Sequence, residues 1–138
     1  MTNAGSVVGT MTGDAQDTFE AFRRAETLVA QRRPLDALAV LAPVLDAEPD
    51  KSSVHLLAGR AYLISAQLRR AEMAFRRVIE LDPTDHYALF ALGKTLQRMS
   101  RLTEAQTQLR LAVAMHPDPA YQEALGEVSA RLAVERDR

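Results

Sequence analysis

The chain has no cysteine and no tryptophan. Without cysteine it can form neither a disulfide nor a thiolate metal site, a pattern that suits a cytoplasmic protein. No apolar run approaches the roughly 18 residues of a membrane-spanning helix, so membrane insertion is not expected. Glycines number only six; three fall in the first thirteen residues and the others are Gly59, Gly93 and Gly126. They assemble no dinucleotide fingerprint, phosphate loop or nucleophile elbow. The histidines His55, His86 and His116 lie 31 and 30 residues apart, which fits no metal motif. Neighbouring carboxylates such as Asp82 and Asp85 read as helix stops and caps rather than as an acid and a base. The expectation is a protein that is not an enzyme and carries no cofactor or metal.

Charge of one sign is also missing overall, since the net charge is -1 across 138 residues. Nothing general draws such a chain to nucleic acid. The pairs Arg69-Arg70 and Arg76-Arg77 make a basic strip, but no aromatics interleave with it. It reads as a solvated helix face paired with Glu72 and Glu80, and no nucleic-acid partner is expected. The distribution is nonetheless uneven: residues 51–110 carry an excess of +5 and the remainder -6. A basic middle with acidic ends favours an acidic ligand or head-to-tail contact between copies; it is also what scattered charge on solvated faces looks like.

What is abundant is repetition. Shifted against itself by 34 residues, the sequence stacks Pro49, Pro83 and Pro117 in one column and Ala37, Ala71 and Ala105 in another. Leu41, Phe75 and Leu109 share a third, and Val44, Val78 and Ala112 a fourth. Within a unit, Leu89, Leu92, Gly93 and Leu96 form one helical stripe. "RMSR" interrupts it, and a second stripe runs through Leu102, Ala105, Leu109 and Val113 until Pro117 stops it. The small Gly93 and Ala105 allow the two helices to approach closely. Neither helix can bury its apolar face alone, so units must stack.

These residues resemble the tetratricopeptide repeat family. "LAGRAYLISAQLRRAEMAFRRVIELDP", Leu57 to Pro83, carries the small-Gly-x-x-Tyr, Ala, Phe and Pro positions of its pattern, with His55 where a tryptophan often stands. "LFALGKTLQRMSRLTEAQTQLRLAVAMHP" is a second match, and the first unit is degenerate, with Arg24 in a small or apolar column. The resemblance implies an all-α fold: an α-solenoid of antiparallel helix pairs, about seven helices in all, wound into a right-handed superhelix. The expected organisation is a flexible N-terminal arm over 1–13 and one domain over 14–138. Its repeats are placed at about 18–51, 52–85 and 86–118, and a capping helix at about 119–135. In that last helix Leu125, Val128 and Leu132 are expected to face the stack. Pro43 is expected to kink the second helix of the first unit.

The first helix of each unit carries more apolar residues than its core stripe needs. At about 100° per residue, Tyr87, Phe90 and Lys94 lie roughly 130° from the stripe. The repeat groups Phe19, Ser53 and Tyr87; Phe22, Leu56 and Phe90; Glu26, Arg60 and Lys94; Val29, Leu63 and Gln97; and, beside the last, Ala30, Ile64 and Arg98. In proteins this chain is similar to, that face lines the concave side of the superhelix and binds peptide. The candidate groove is therefore Phe19, Phe22, Glu26, Leu56, Arg60, Leu63, Tyr87, Phe90, Lys94 and Arg98, an apolar floor with positive charge along it. The alternative role for the same apolar residues is packing between adjacent first helices. A subgroup of the family grips a terminal carboxylate; the matching positions here are Phe22, Glu26, Leu57, Tyr87 and Ala91, which cannot do so. The arm segment Ser6–Met11 is a further candidate for the groove.

Two functions remain. One is an adaptor or chaperone-like module holding an apolar, acidic segment of another protein. The other is a self-associating scaffold, a homo-oligomer built through the repeats.

Overall fold

The computed structural model describes the backbone of residues 2–138 and the side chains of residues 15–138. Among the described residues there are seven helices and no strand. They are α1 (Thr2–Ala30), α2 (Pro34–Ala47), α3 (Ser52–Ile64), α4 (Leu68–Leu81), α5 (His86–Arg98), α6 (Leu102–Met115) and α7 (Pro119–Arg136). The chain is thus an all-α solenoid of three helix pairs closed by a single helix. Helix α1 begins at Thr2, so its backbone runs through the region expected as a flexible arm. No proline precedes Pro34 to interrupt it. The expected seat for Ser6–Met11 concerns side chains outside the described residues.

Each pair turns the same way. Arg32, Ala66 and Ser100 hold φ of 59°, 60° and 61°, one per unit and 34 residues apart. The residue after each donates to a carbonyl five back: Arg33 N to Leu28 O at 2.9 Å, Gln67 N to Tyr62 O at 2.8 Å and Arg101 N to Leu96 O at 2.9 Å. This is the left-handed helix stop that satisfies two orphan carbonyls, built here without glycine. Between units, Asp85 caps α5 by accepting from Ala88 N at 3.0 Å, and Asp118 caps α7 by accepting from Ala120 N at 2.8 Å. Asp82 instead ties the preceding turn, accepting from Thr84 Oγ1 at 2.7 Å. Pro119 occupies the first turn of α7, where its missing N–H costs nothing. Pro43 sits inside α2, which continues past it to Ala47.

The repeating columns form the core. Ala37, Ala71 and Ala105 are buried, as are Leu41, Phe75 and Leu109 and the column of Val44, Val78 and Ala112. Close approach within a pair depends on glycine: a Cβ on Gly59 would fall 2.6 Å from Phe75, and one on Gly93 2.6 Å from Leu109. Repeats are also joined by charge. Glu72 of α4 accepts from Arg76 at 2.9 Å on its own helix and from Arg101, at the start of α6, at 2.7 Å.

Helix α7 docks on the stack through the expected Leu125, Val128 and Leu132, with Tyr121 and Ala124 packed beside them. Tyr121, Ala124 and Val128 are buried, and Leu125 and Leu132 are only half-buried beside them.

The stack is curved, and the contacts give the sense. The backbones of α1 and α3, of α3 and α5 and of α5 and α7 approach closely, whereas those of α2, α4 and α6 do not approach one another. The first helices converge and the second helices fan apart, so the first-helix side is concave.

Candidate functional site

The concave side is lined by α1, α3 and α5, each unbroken through the stretch that carries the predicted strip. Its apolar members play two parts. Phe22 is half-buried against the core of the first two units, and Leu56, Leu63 and Phe90 are half-buried against the core of the next. They fill the seams between successive first helices, as the packing alternative requires, and leave part of each side chain in solvent. Phe19 is different: it is 63% exposed and touches little. Val29, placed in a groove column by the repeat, is buried and belongs to the core.

Two regions of the strip are drawn together. At the N-terminal end Phe19 and Phe22 line a depression of about 170 Å³ with Ser53, Val54 and the pair Glu48–Lys51, whose charged atoms lie 3.6 Å apart. At the C-terminal end Tyr87 tilts toward Phe90 with ring centres 6.1 Å apart, and Phe90 stacks on Tyr121 at 4.6 Å. The Tyr121 hydroxyl sits 2.8 Å from His86 Nδ1, and His86 stacks on His116 at 4.3 Å. Burial, with Asp118 adding to it, pushes the Tyr121 hydroxyl above the usual phenol range. The ring stands as an aromatic wall at the C-terminal end of the strip. Tyr121, His86 and His116 escaped sequence reasoning because they meet only when α7 folds over α5 and α6. Their one sequence signal is that Tyr121, Ala124 and Val128 fall at i, i+3 and i+7.

The charges are arranged unevenly. Glu26 is exposed and pairs weakly with Arg23 at 3.9 Å. Arg98 is committed to structure, its Nη1 donating to Leu63 O at 3.0 Å near the end of α3. That leaves Arg60, exposed, and Lys94, half-buried, which have no hydrogen-bond or ion-pair partner among the described residues. They occupy the same position in successive repeats. A strip with apolar seams and two unpartnered cations can take an extended or helical chain that offers apolar side chains and carboxylates together. His55 plays no part in it: its Nε2 lies 2.7 Å from Pro49 O and braces the turn between units. Among the described residues no three His, Asp or Glu side chains gather in a way that could hold a metal ion, and no helix is long and apolar enough to cross a membrane.

Known proteins share this architecture. Residues 22–86 match one family model described as tetratricopeptide repeat and residues 74–107 match another, so that together they span 22–107. A protein O-mannosyl-transferase of Caenorhabditis elegans is 32% identical over 88 residues, covering 59% of this chain and 13% of its own length. The cellulose synthase 2 operon protein C of Komagataeibacter xylinus is 36% identical over 88 residues, covering 63% of this chain and 6% of its own. The chain therefore spans a small part of the curated relatives it matches. Among solved structures, the first such domain of Spaghetti (RPAP3), bound to the HSP90 peptide SRMEEVD, superposes with a TM-score of 0.81 at 18% identity. It covers 86% of this chain and 94% of its own.

Proposed function

Because the chain belongs to the tetratricopeptide repeat family, we propose that it is a non-catalytic, cytoplasmic adaptor or chaperone-like module whose concave groove holds an apolar, acidic segment of a partner protein. The observation that carries this reading is the pair Arg60 and Lys94, unpartnered cations in equivalent positions beside the half-buried Leu56 and Phe90. A cation left without a partner beside an apolar seam is free to meet a carboxylate, and the seams supply the burial that makes binding tight. The structural neighbour bound to SRMEEVD holds an acidic peptide on the same fold. Here the positions Phe22, Glu26, Leu57, Tyr87 and Ala91 offer nothing to clamp a terminal carboxylate, so an internal segment serves as well as a chain end.

The test is selection from a random displayed-peptide library on the full chain, then fluorescence anisotropy of the enriched peptides. Peptides mixing Asp or Glu with bulky apolar residues are expected. Arg60→Glu with Lys94→Glu should weaken them at least about tenfold, or 1.4 kcal/mol, with helical circular dichroism unchanged. Equal binding to that double variant would overturn the reading.

A further inference from the structure

The convex side carries a second surface that the groove reading does not use. Helix α2, "PLDALAVLAPVLDA", is apolar nearly all round. A helix of that kind is normally enclosed, yet here only Ala37, Leu41 and Val44 are buried, and the outward side shows Leu35, Ala39, Ala42 and Pro43 to solvent, Leu35 at 67% exposure. Because the second helices fan apart, no neighbour among the described residues covers it. Its only charges are Asp36 and Asp46. Asp36 is shared with Arg33 at 2.9 Å, and Asp46 has no ion-pair partner among the described residues.

Helix α4 stands next to it on the same side with the opposite character. It carries Arg69, Arg70, Arg76 and Arg77 against Glu72 and Glu80. Its exposed Met73, together with Leu45 of α2 and the α3 residues Ala58 and Tyr62, lines an open groove of about 710 Å³ between the two helices. Arg76 and Arg77 are held by Glu72 and by Asp50 and Glu80. Arg70 meets only Gln67, at 2.6 Å, and Arg69 has no partner among the described residues.

One face thus presents an apolar acidic helix beside an apolar basic groove. We propose that this face is a two-fold interface between copies of the chain, in which α2 of each copy lies along α4 and the groove of the other. A two-fold axis between the helices brings each into register with its complement twice over, covers both apolar surfaces and closes the assembly at two chains. The occupant is a second copy because the two complementary surfaces lie on one molecule, side by side. The concave groove is left free on each chain.

Opposite charges allow a decisive test by sedimentation equilibrium of the full chain from about 1 μM to about 1 mM. Wild type should reach twice the chain mass. Asp36→Lys with Asp46→Lys makes both helices basic, and Arg69→Glu with Arg70→Glu makes both more acidic; all four side chains are exposed. Each double variant alone should dimerise at least about 100-fold more weakly, and an equimolar mixture of the two should recover the dimer. Arg60→Glu with Lys94→Glu should dimerise as wild type does, which separates this face from the peptide groove. A wild type that stays monomeric throughout, or variants that dimerise alone as well as wild type, would overturn the proposal. So would a mixture that does not recover while both variants keep their helical circular dichroism.

Discussion

Gly59 and Phe75 face each other so closely that a single added carbon on Gly59 would lie 2.6 Å from Phe75 Cε1. The ring is fully buried and has nowhere to go. Gly59→Ala should therefore cost about 1–3 kcal/mol by overpacking, even though alanine is the better helix former. Gly126, one residue short of the same repeat column and on the unpaired last helix, meets nothing within 4 Å. Gly126→Ala should stabilise by about 0.5–1 kcal/mol. Urea denaturation of the two variants checks the contrast; matching signs would contradict it.

The left-handed turns make a second prediction. Ala66 holds φ 60° and is exposed, so its Cβ adds strain and contributes no packing. Replacing it by glycine removes about 1–2 kcal/mol of backbone strain and returns part of that as unfolded-chain entropy. Ala66→Gly should raise the unfolding free energy from urea denaturation by about 0.5 kcal/mol, whereas Ala66→Val should lower it.

Acid should loosen the joint between the second and third repeats. Burial alone raises the Glu72 carboxyl, but hydrogen bonds from Arg101 and Arg76 outweigh it and hold the group below its ordinary 4.5. A carboxyl depressed in the folded state stabilises above its unfolded value, and that contribution disappears as pH falls through the folded one. Melting curves should therefore show a fall in stability as pH drops below about 4.5 that is smaller in Glu72→Gln. A variant with the same acid dependence as wild type would place the effect elsewhere.

Phe19 and Phe90 should separate binding from folding. Phe90 is half-buried in a seam and stacked on Tyr121, so Phe90→Ala should cost about 2–3 kcal/mol of stability. Phe19 is 63% exposed, and Phe19→Ala should change stability by less than about 0.5 kcal/mol. If the N-terminal depression belongs to the groove, the same Phe19→Ala weakens the selected peptides severalfold. Unchanged peptide affinity would remove Phe19 from the groove.

Much of this architecture could be read before any coordinates. Recurring Ala, Gly and Pro columns at a fixed spacing state which residues lie inside, because helical period and burial are local consequences of residue type. The close approach at Gly93 and the cap at Asp85 were foreseen on that basis; the tighter contact of Gly59 with Phe75 was not. The left-handed stops were not, since Arg32, Ala66 and Ser100 have no side chain that announces positive φ. The strip could be named as a candidate groove, but its members could not be sorted into packing and exposed ones: a repeat position says which way a side chain points, not how near the next helix stands.

By itself, then, the sequence determined the repeat, the helix pairs and the core columns. The tertiary structure decided what depends on how successive pairs are set against each other. That angle makes the first helices converge and the second diverge, half-burying Phe22, Leu56 and Phe90 while leaving the apolar flank of α2 bare. It also brings Tyr121 onto Phe90 and His86 onto His116, contacts between residues some thirty positions apart. Packing angles are settled by the summed fit of many side chains, and no short stretch of residues encodes that sum.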